Sequence, residues 1–322
     1  MLEREVIDMK AAVIHAPGAA PVLTDHADPV AMDNETVVEV LAAGLHPVVK
    51  ALAGGIHYAS SDGYPMIPGL DGVGRLPDGG RVYFAGVRKP FGTMAGLAAA
   101  PAGFLLPVPD GLDDAQAAAI MNPGMAAYLA LTLRAEVAAG ETVLVLGATG
   151  VSGQLAVQIA RRLGAGRVIA AGRNAEVLDR LGADAVAVLG GSDDAAALAA
   201  AGAGDAHVVI DYLWGPPAEA AFAALSRRGF DHTSPTVRYV QVGQSAGDPA
   251  RLPAAVLRST DLRILGSGGG AVAVAAVLAR LPEFLAYAAS AGLRVDVDEV
   301  PLAEAGTAWD RPSAGRRVVF RP

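Results

Sequence analysis

Between residues 141 and 174 the spacing of apolar positions changes twice. Thr142 to Leu146 is an uninterrupted aliphatic and β-branched run, apolar on both faces, which predicts a buried parallel strand. Three glycines follow, Gly147, Gly150 and Gly153, and then Leu155, Ile159 and Leu163 recur at helical spacing until Gly164 ends the pattern. Val168 to Ala171 forms a second apolar run. The unit reads strand, glycine turn, helix, strand, a βαβ crossover whose helix N-terminus presents free N–H groups and a positive dipole end. The rhythm continues with helices over 175–181, 193–201, 217–226 and 253–258 alternating with strands over 185–189, 206–213, 238–242 and 262–265. Such alternation predicts a doubly wound parallel sheet.

The flanking parts differ. Residues 10–18, 22–28 and 36–44 read as strands, with Asp33 and Asn34 as turn residues, which predicts antiparallel β structure. His46-Pro47 opens a short helix that closes at Gly54 and Gly55, and residues 56–76 form a polar, turn-rich loop containing Tyr58, Asp62, Tyr64 and Asp71. After a strand over 81–87, a stretch over 94–109 reads as loop and short strand. A helix follows, starting near Asp113 and Asp114 and expected to break at Pro123-Gly124, just after Asn122. The last segment holds a helix to about residue 291 and strands over 295–300 and 316–320. The expected organisation is a first domain over 1–120, a nucleotide-binding domain over 121–265 and a return to the first over 266–322. Residues 1–8 read as a loose extension, and 231–236 as an extra surface turn without a functional account.

Composition narrows the chemistry. The chain of 322 residues is 52% hydrophobic and 18% charged, carries a net charge of −8 and has no cysteine. Nucleic acid and anionic membranes are therefore not expected as partners, and thiol nucleophiles, disulfides and thiolate zinc sites are excluded. Residues 1–10 lack the basic start and apolar stretch of a secretory signal, so the expected location is the cytoplasm.

The glycine turn has the context of a dinucleotide fingerprint, although Ala148 occupies its first glycine position. Gly147, Ala148, Thr149, Gly150, Val151 and Gly153 are the expected pyrophosphate contacts. At the end of the second strand stand Gly172, Arg173 and Asn174, where a site for NAD places Asp or Glu. An arginine there pairs with a 2′-phosphate, so the expected cofactor is NADP(H). Val242, Gly243, Gln244, Gly266 and Ser267 follow the late strands at the carboxyl edge of the sheet and are expected to line the nicotinamide half of the site. Asp211, at the end of another strand, is expected to tie down the neighbouring loop.

The segments KAAVIHAPG, AAGLHPVVKALAGG, PMIPGLDGVGRL, VLVLGATGVSG and AGRRVVF together resemble the medium-chain dehydrogenase/reductase superfamily, in its zinc-independent quinone oxidoreductase branch. The resemblance runs from Met9 almost to the end. It implies a GroES-like, mainly antiparallel β catalytic domain beside a Rossmann doubly wound sheet. Zinc-dependent members have a cysteine ligand in the segment here reading AAGLHPVVK and a Gly-His-Glu motif where this chain has Gly69-Leu70-Asp71. No metal ligand is therefore expected. The implied activity is NADPH-dependent reduction of quinones or α,β-unsaturated carbonyls by hydride transfer. The resemblance also points to Tyr58, with Tyr64 as its substitute, as a hydroxyl that stabilises or protonates an enolate. By the same resemblance Asn122 is an amide near nicotinamide or substrate, and a homodimer forms through the edge strand at 262–265. His46 reads as the residue before a helix-opening proline and Asp71 as the end of a turn. Two other functions stay open on the sequence: an enoyl-thioester reductase, and an NADPH-binding sensor without turnover.

Overall fold

The computed structural model describes residues 8–60, 63–227 and 235–322. The extension over 1–7 and most of the 231–236 turn lie outside the described residues. The chain divides into two compact units, one formed by Met1–Asn122 with Leu285–Pro322 and the other by Pro123–Phe284.

In the first unit, β1 (Met9–Val13) pairs antiparallel with β2 (Val22–His26). The main sheet is built from β3 (Glu35–Gly44), β4 (Asp71–Arg75), β5 (Arg81–Ala85), β6 (Leu97–Pro101), β7 (Leu105–Pro107), β14 (Val297–Pro301) and β15 (Arg317–Arg321). Its order is β14-β15-β3-β4-β5-β7, with β6 pairing β3. All of its pairs are antiparallel except β14 with β15. Val38, Val40, Val82, Phe84, Met94, Val318 and Phe320 fill the core. Helix α1 (Pro47–Ala53) sits between β3 and β4 in the chain, opened by Pro47 in its first turn, where a missing N–H costs nothing.

The expected loop over 56–76 ends sooner than its composition indicates. Asp71–Arg75 is strand β4, because Val73 and its neighbours are buried between β3 and β5. Asp71 therefore begins a strand and does not finish a turn.

The second unit holds a six-stranded parallel sheet in the order β10-β9-β8-β11-β12-β13. Its strands are β8 (Thr142–Leu146), β9 (Arg167–Gly172), β10 (Ala185–Val188), β11 (Val208–Asp211), β12 (Val237–Gln241) and β13 (Leu262–Gly266). Helices α3 (Val151–Arg162), α4 (Ala175–Arg180), α5 (Asp194–Ala200), α6 (Gly215–Leu225) and α7 (Ala254–Ser259) connect them. The central strands β8, β9 and β11 are buried on both faces, which is why their sequences are continuously apolar. The expected fold class is the observed one.

Helix α2 (Asp114–Leu129) corrects a second expectation. It continues through Pro123 and Gly124 and passes into a π-helical turn over Ala130–Arg134. Asp113 Oδ1 accepts the N–H of Gln116 at 2.7 Å and caps its start. Ala117 to Met121 and Met125 to Leu131 include mostly buried side chains, and this packing outweighs the one hydrogen bond that proline removes. Helix α8 (Val274–Ser290) likewise contains Pro282. The four-residue α9 (Ala305–Ala308) precedes β15.

Candidate functional site

The second unit brings the glycine turn to the carboxyl edge of the sheet, where the strand order reverses between β8 and β11. Gly147 turns the chain at φ 85°, and Gly150 caps α3 with no side chain on the helix end. The N–H groups of Gly147 and Ala148 both donate to Ala171 O at 2.9 Å, which fixes the turn on β9. Gly153 cannot be replaced within this backbone, since a Cβ on it would lie 2.6 Å from Ala148 Cα and 2.8 Å from Gly147 C. The turn and the helix are thus in direct contact, and α3 starts at the carboxyl edge of β8 with no side-chain cap for its first N–H groups. Bare donors, a dipole end and no capping side chain fit a dinucleotide pyrophosphate.

Thr149 reaches across to β9, where a Cβ on Gly172 would meet its Oγ1 at 3.0 Å. Beyond Gly172, Arg173, Asn174, Ala175 and Glu176 line an open hollow of about 660 Å³. Arg173 is exposed. Asn174 is already engaged in the structure, since its Oδ1 accepts the Val177 N–H at 3.1 Å and caps α4. Val242 to Gln244 leave the end of β12, and Gly266 and Ser267 the end of the adjacent β13, with Ser267 N–H donating to Gln241 O at 2.8 Å. All cofactor candidates named from the sequence therefore lie in one unit, at the carboxyl ends of its strands, in the turns that follow them or, for Val151 and Gly153, in the first turn of α3.

The first unit holds the remaining candidates. Tyr58 is 77% exposed and stacks on His57 with ring centroids 4.1 Å apart. Its segment is well anchored. Ile56 N–H donates to Ala51 O at 3.1 Å, Ser60 Oγ donates to Leu52 O at 3.2 Å, and Ala59 N–H donates to His57 Nδ1 at 3.1 Å. Tyr64 donates its hydroxyl to Ala53 O at 2.7 Å, so that proton is held by the end of α1. Asn122 is half-buried on α2.

Sequence reasoning missed a buried polar cluster in this unit. His46, Asp71 and Arg317 are 1%, 2% and 4% exposed. His46 Nε2 lies 3.1 Å from Asp71 Oδ1, Tyr83 donates its hydroxyl to Asp71 Oδ2 at 2.9 Å, and Thr93 donates to Asp71 O at 2.9 Å. Arg317 donates to Leu45 O at 2.7 Å. Burial lowers the pKa of His46 below its usual 6.5, with the Asp71 charge opposing that shift and the Arg317 charge adding to it. Burial lowers Arg317 to about 10, again opposed by Asp71, and raises the Tyr83 hydroxyl well above its usual range. The only sequence signs were a histidine and an aspartate at the ends of apolar runs, and neither residue type announces burial.

A depressed histidine pKa has a definite sign. The unfolded chain binds a proton at His46 near pH 6.5 and the folded chain only below that, so His46 contributes stability above pH 6.5 that is lost as pH falls through the folded value. The wild-type unfolding free energy should decline on that acid limb, with a slope of up to about 1.4 kcal/mol per pH unit from this one group. Urea melts of wild type and His46→Asn between pH 7.5 and 5 check this. The variant should lack that part of the slope, and parallel curves would contradict it.

Asp211 does tie down its loop. Its Oδ1 accepts from Leu213 and Trp214 N–H groups at 2.7 and 3.0 Å, and its Oδ2 accepts from the Tyr239 hydroxyl at 2.7 Å. Burial raises its pKa against the pull of those donors. Among the described residues no group of three or more His, Cys, Asp or Glu gathers at metal-binding distance, and no helix is long and apolar enough to cross a membrane.

No protein-family model matches the chain. It is 28% identical, over an alignment of 353 residues covering 94% of this chain and 96% of the relative, to a protein of Emericella nidulans named as a probable NADPH-dependent quinone reductase. It is 30% identical over 235 residues to a trans-enoyl reductase of Aspergillus terreus, covering 67% of this chain and 64% of that one. In structure it superposes on the quinone oxidoreductase of Thermus thermophilus with a TM-score of 0.78 and 29% identity, covering 98% of this chain and all of that one. That protein's structure was also described in complex with NADPH.

Proposed function

Because the chain belongs to the quinone oxidoreductase-like branch of the medium-chain dehydrogenase/reductase superfamily, we propose that it is an NADPH-dependent reductase of quinones or α,β-unsaturated carbonyls. The observation that carries the proposal is the uncapped glycine turn and α3 N-terminus beside a strand end that carries Arg173 and no carboxylate at positions 172–174. When bound, NADPH supplies a hydride to the electron-poor carbon of the acceptor, and the resulting enolate or hydroquinone anion takes up a proton.

The residues divide the work. The N–H groups at the start of α3 hold the pyrophosphate, and the Arg173 guanidinium pairs with the 2′-phosphate. Asn174, occupied in capping α4, fixes the backbone that presents Arg173. Val242 to Gln244, Gly266 and Ser267 shape the nicotinamide half. Tyr58 is the better proton donor of the two tyrosines, because Tyr64 has already committed its hydroxyl proton to Ala53 O. The reaction runs without a protein-bound metal, a reading supported by the lack of cysteine and by Leu70 in place of the zinc-ligating histidine. A homodimer forms along β13, whose outer edge has no strand partner among the described residues and exposes Ile264. Light scattering at micromolar concentration should give twice the chain mass, and a monomer would overturn the dimer.

Loss of NADPH absorbance with a naphthoquinone, an enone, an enoyl thioester and an aldehyde tests the function. Quinone or enone should turn over and aldehyde should not; exclusive use of the enoyl thioester would favour that alternative, and binding without turnover the sensor. Arg173→Ala should raise KM for NADPH by about ten- to a hundredfold and leave KM for NADH unchanged, as expected for one lost charge-assisted pair. Equal effects on both cofactors would contradict the role of Arg173.

A further inference from the structure

The loop after β11 joins two parts of the carboxyl edge that the chain places far apart in sequence. Asp211, 0% exposed, is the last residue of β11. Its carboxylate fixes the loop by accepting the Leu213 and Trp214 N–H groups and is itself held by the Tyr239 hydroxyl of β12, while its carbonyl accepts N–H groups of Val242 at 2.8 Å and Gly243 at 3.1 Å. The loop's own carbonyls continue this stitching. Tyr212 O accepts from the Ser245 hydroxyl at 3.0 Å, and Leu213 O from the Ala246 N–H at 2.8 Å.

On its other side the loop presses against the glycine turn after β8. A Cβ on Gly147 would meet the Leu213 side chain at 3.1 Å and Tyr212 Cβ at 3.3 Å, and a Cβ on Gly243 would meet Tyr212 O at 2.8 Å. The loop is therefore wedged between the Gly147 turn and the Val242 to Gln244 segment. It is also strained: Trp214 adopts φ 54°, ψ −162°, a region that a bulky side chain occupies only when its surroundings impose it. Two things impose it here, the Asp211 carboxylate and an aromatic cluster in which the Trp214 ring meets Phe222 and Tyr239 edge-on at 6.0 and 6.2 Å.

We propose that Asp211 is a positioning residue of the dinucleotide site: by holding Tyr212 to Trp214 in this strained loop it sets the gap between the Gly147 turn and Val242 to Gln244, and with it the affinity for the cofactor. The proposal rests on the reading that this edge binds NADPH. Asp211 does not touch the cofactor. Its removal leaves two N–H groups without their acceptor and lets Trp214 relax, so the loop no longer buttresses either turn.

The full-length chain tests this with Asp211→Ala, Asp211→Asn and Tyr239→Phe, each in a Trp309→Phe background. Trp214 is then the sole tryptophan, since the chain has two. NADPH binding is read from Trp214 fluorescence, and kcat and KM for NADPH from turnover. Asp211→Ala should raise Kd and KM for NADPH by about tenfold or more while kcat stays within about twofold. Asp211→Asn, which keeps an acceptor oxygen for Leu213 and Trp214, should stay within about threefold of wild type. Tyr239→Phe, which removes the hydroxyl that orients the Asp211 carboxylate and so loosens its hold on Leu213 and Trp214, should raise Kd by about five- to tenfold and serves as the reading if Asp211→Ala does not fold. A fall in melting temperature with Kd unchanged, in Asp211→Ala or in Tyr239→Phe if the alanine variant is lost, would make Asp211 purely structural and overturn the proposal. Failure of the Trp309→Phe parent to bind either NADPH or NADH would instead overturn the reading on which it rests, and this proposal with it.

Discussion

Replacing Gly153 with alanine should abolish cofactor binding at ordinary concentrations, raising Kd for NADPH by about a hundredfold, or about 2.7 kcal/mol. The reason lies in what a single methyl group meets. Its neighbours would be Gly147 C at 2.8 Å and Ala148 Cα at 2.6 Å, all backbone, so no side chain can rotate away. The helix must retreat from the turn, and the start of α3 then moves away from the position its N–H groups need to hold a pyrophosphate. Overpacking of this kind also costs about 1 to 3 kcal/mol of stability. The check is calorimetric titration of NADPH into wild type and variant, with urea melts of both. Gly150→Ala provides the contrast, because a Cβ there would meet nothing closer than Gly147 O at 3.5 Å. It should fold like wild type. Unchanged NADPH affinity in Gly153→Ala would remove the physical basis for the turn as the binding element.

The second large effect belongs to the first unit. Asp71→Ala should lower the unfolding free energy by about 3 to 5 kcal/mol, the usual consequence of removing one partner from a buried charged cluster. Arg317 would remain buried without its countercharge and Tyr83 would lose its hydroxyl acceptor. His46 would lose the carboxylate 3.1 Å from its Nε2. Asp71→Asn keeps an acceptor for Tyr83 and should cost less than the alanine variant. Urea melts at pH 7.5 check the ranking. A loss below about 1 kcal/mol for Asp71→Ala, no more than an exposed ion pair contributes, would contradict the role of the cluster in stability. The cluster ties the end of β3, the start of α1, β4, β5 and β15 into one structure, so its effect on function is expected through the Tyr58 segment that follows α1.

How much of this was readable in advance depended on whether a local signal decided the outcome. The parallel sheet was legible because β8, β9 and β11 are buried on both faces and leave uninterrupted apolar runs. The start of α2 was legible from Asp113 and Asp114, acidic residues suited to a helix N-terminus, whereas Asn174 reads from the sequence as a cofactor contact and its cap on α4 emerges only in the structure. Where long-range packing overrode local chemistry, the reading failed. Pro123-Gly124 is a strong local stop, yet α2 runs through it because its buried residues on both sides pack as one helix. Asp71 looked like a turn residue, but the pairing of β4 with β3 and β5 makes it a strand start, and Tyr83 from β5 and His46 at the start of α1 face its buried carboxylate. The glycine turn and Arg173 were visible as cofactor candidates. The Asp211 loop was visible only as a local tie, since its wedge between Gly147 and Gly243 depends on the strand order of the folded sheet.

Hydride transfer itself can be followed directly. The protein is incubated with an enone and NADPH deuterated at the transferring C4 position, and the product is analysed by mass spectrometry and NMR. One deuterium per product molecule is expected on the β-carbon, with the α-proton drawn from solvent. Recovery of both unreacted enone and, in a parallel incubation, unreacted quinone while NADPH is shown to be bound, or a reduced enone without the label from either C4 position, would contradict hydride transfer by this protein.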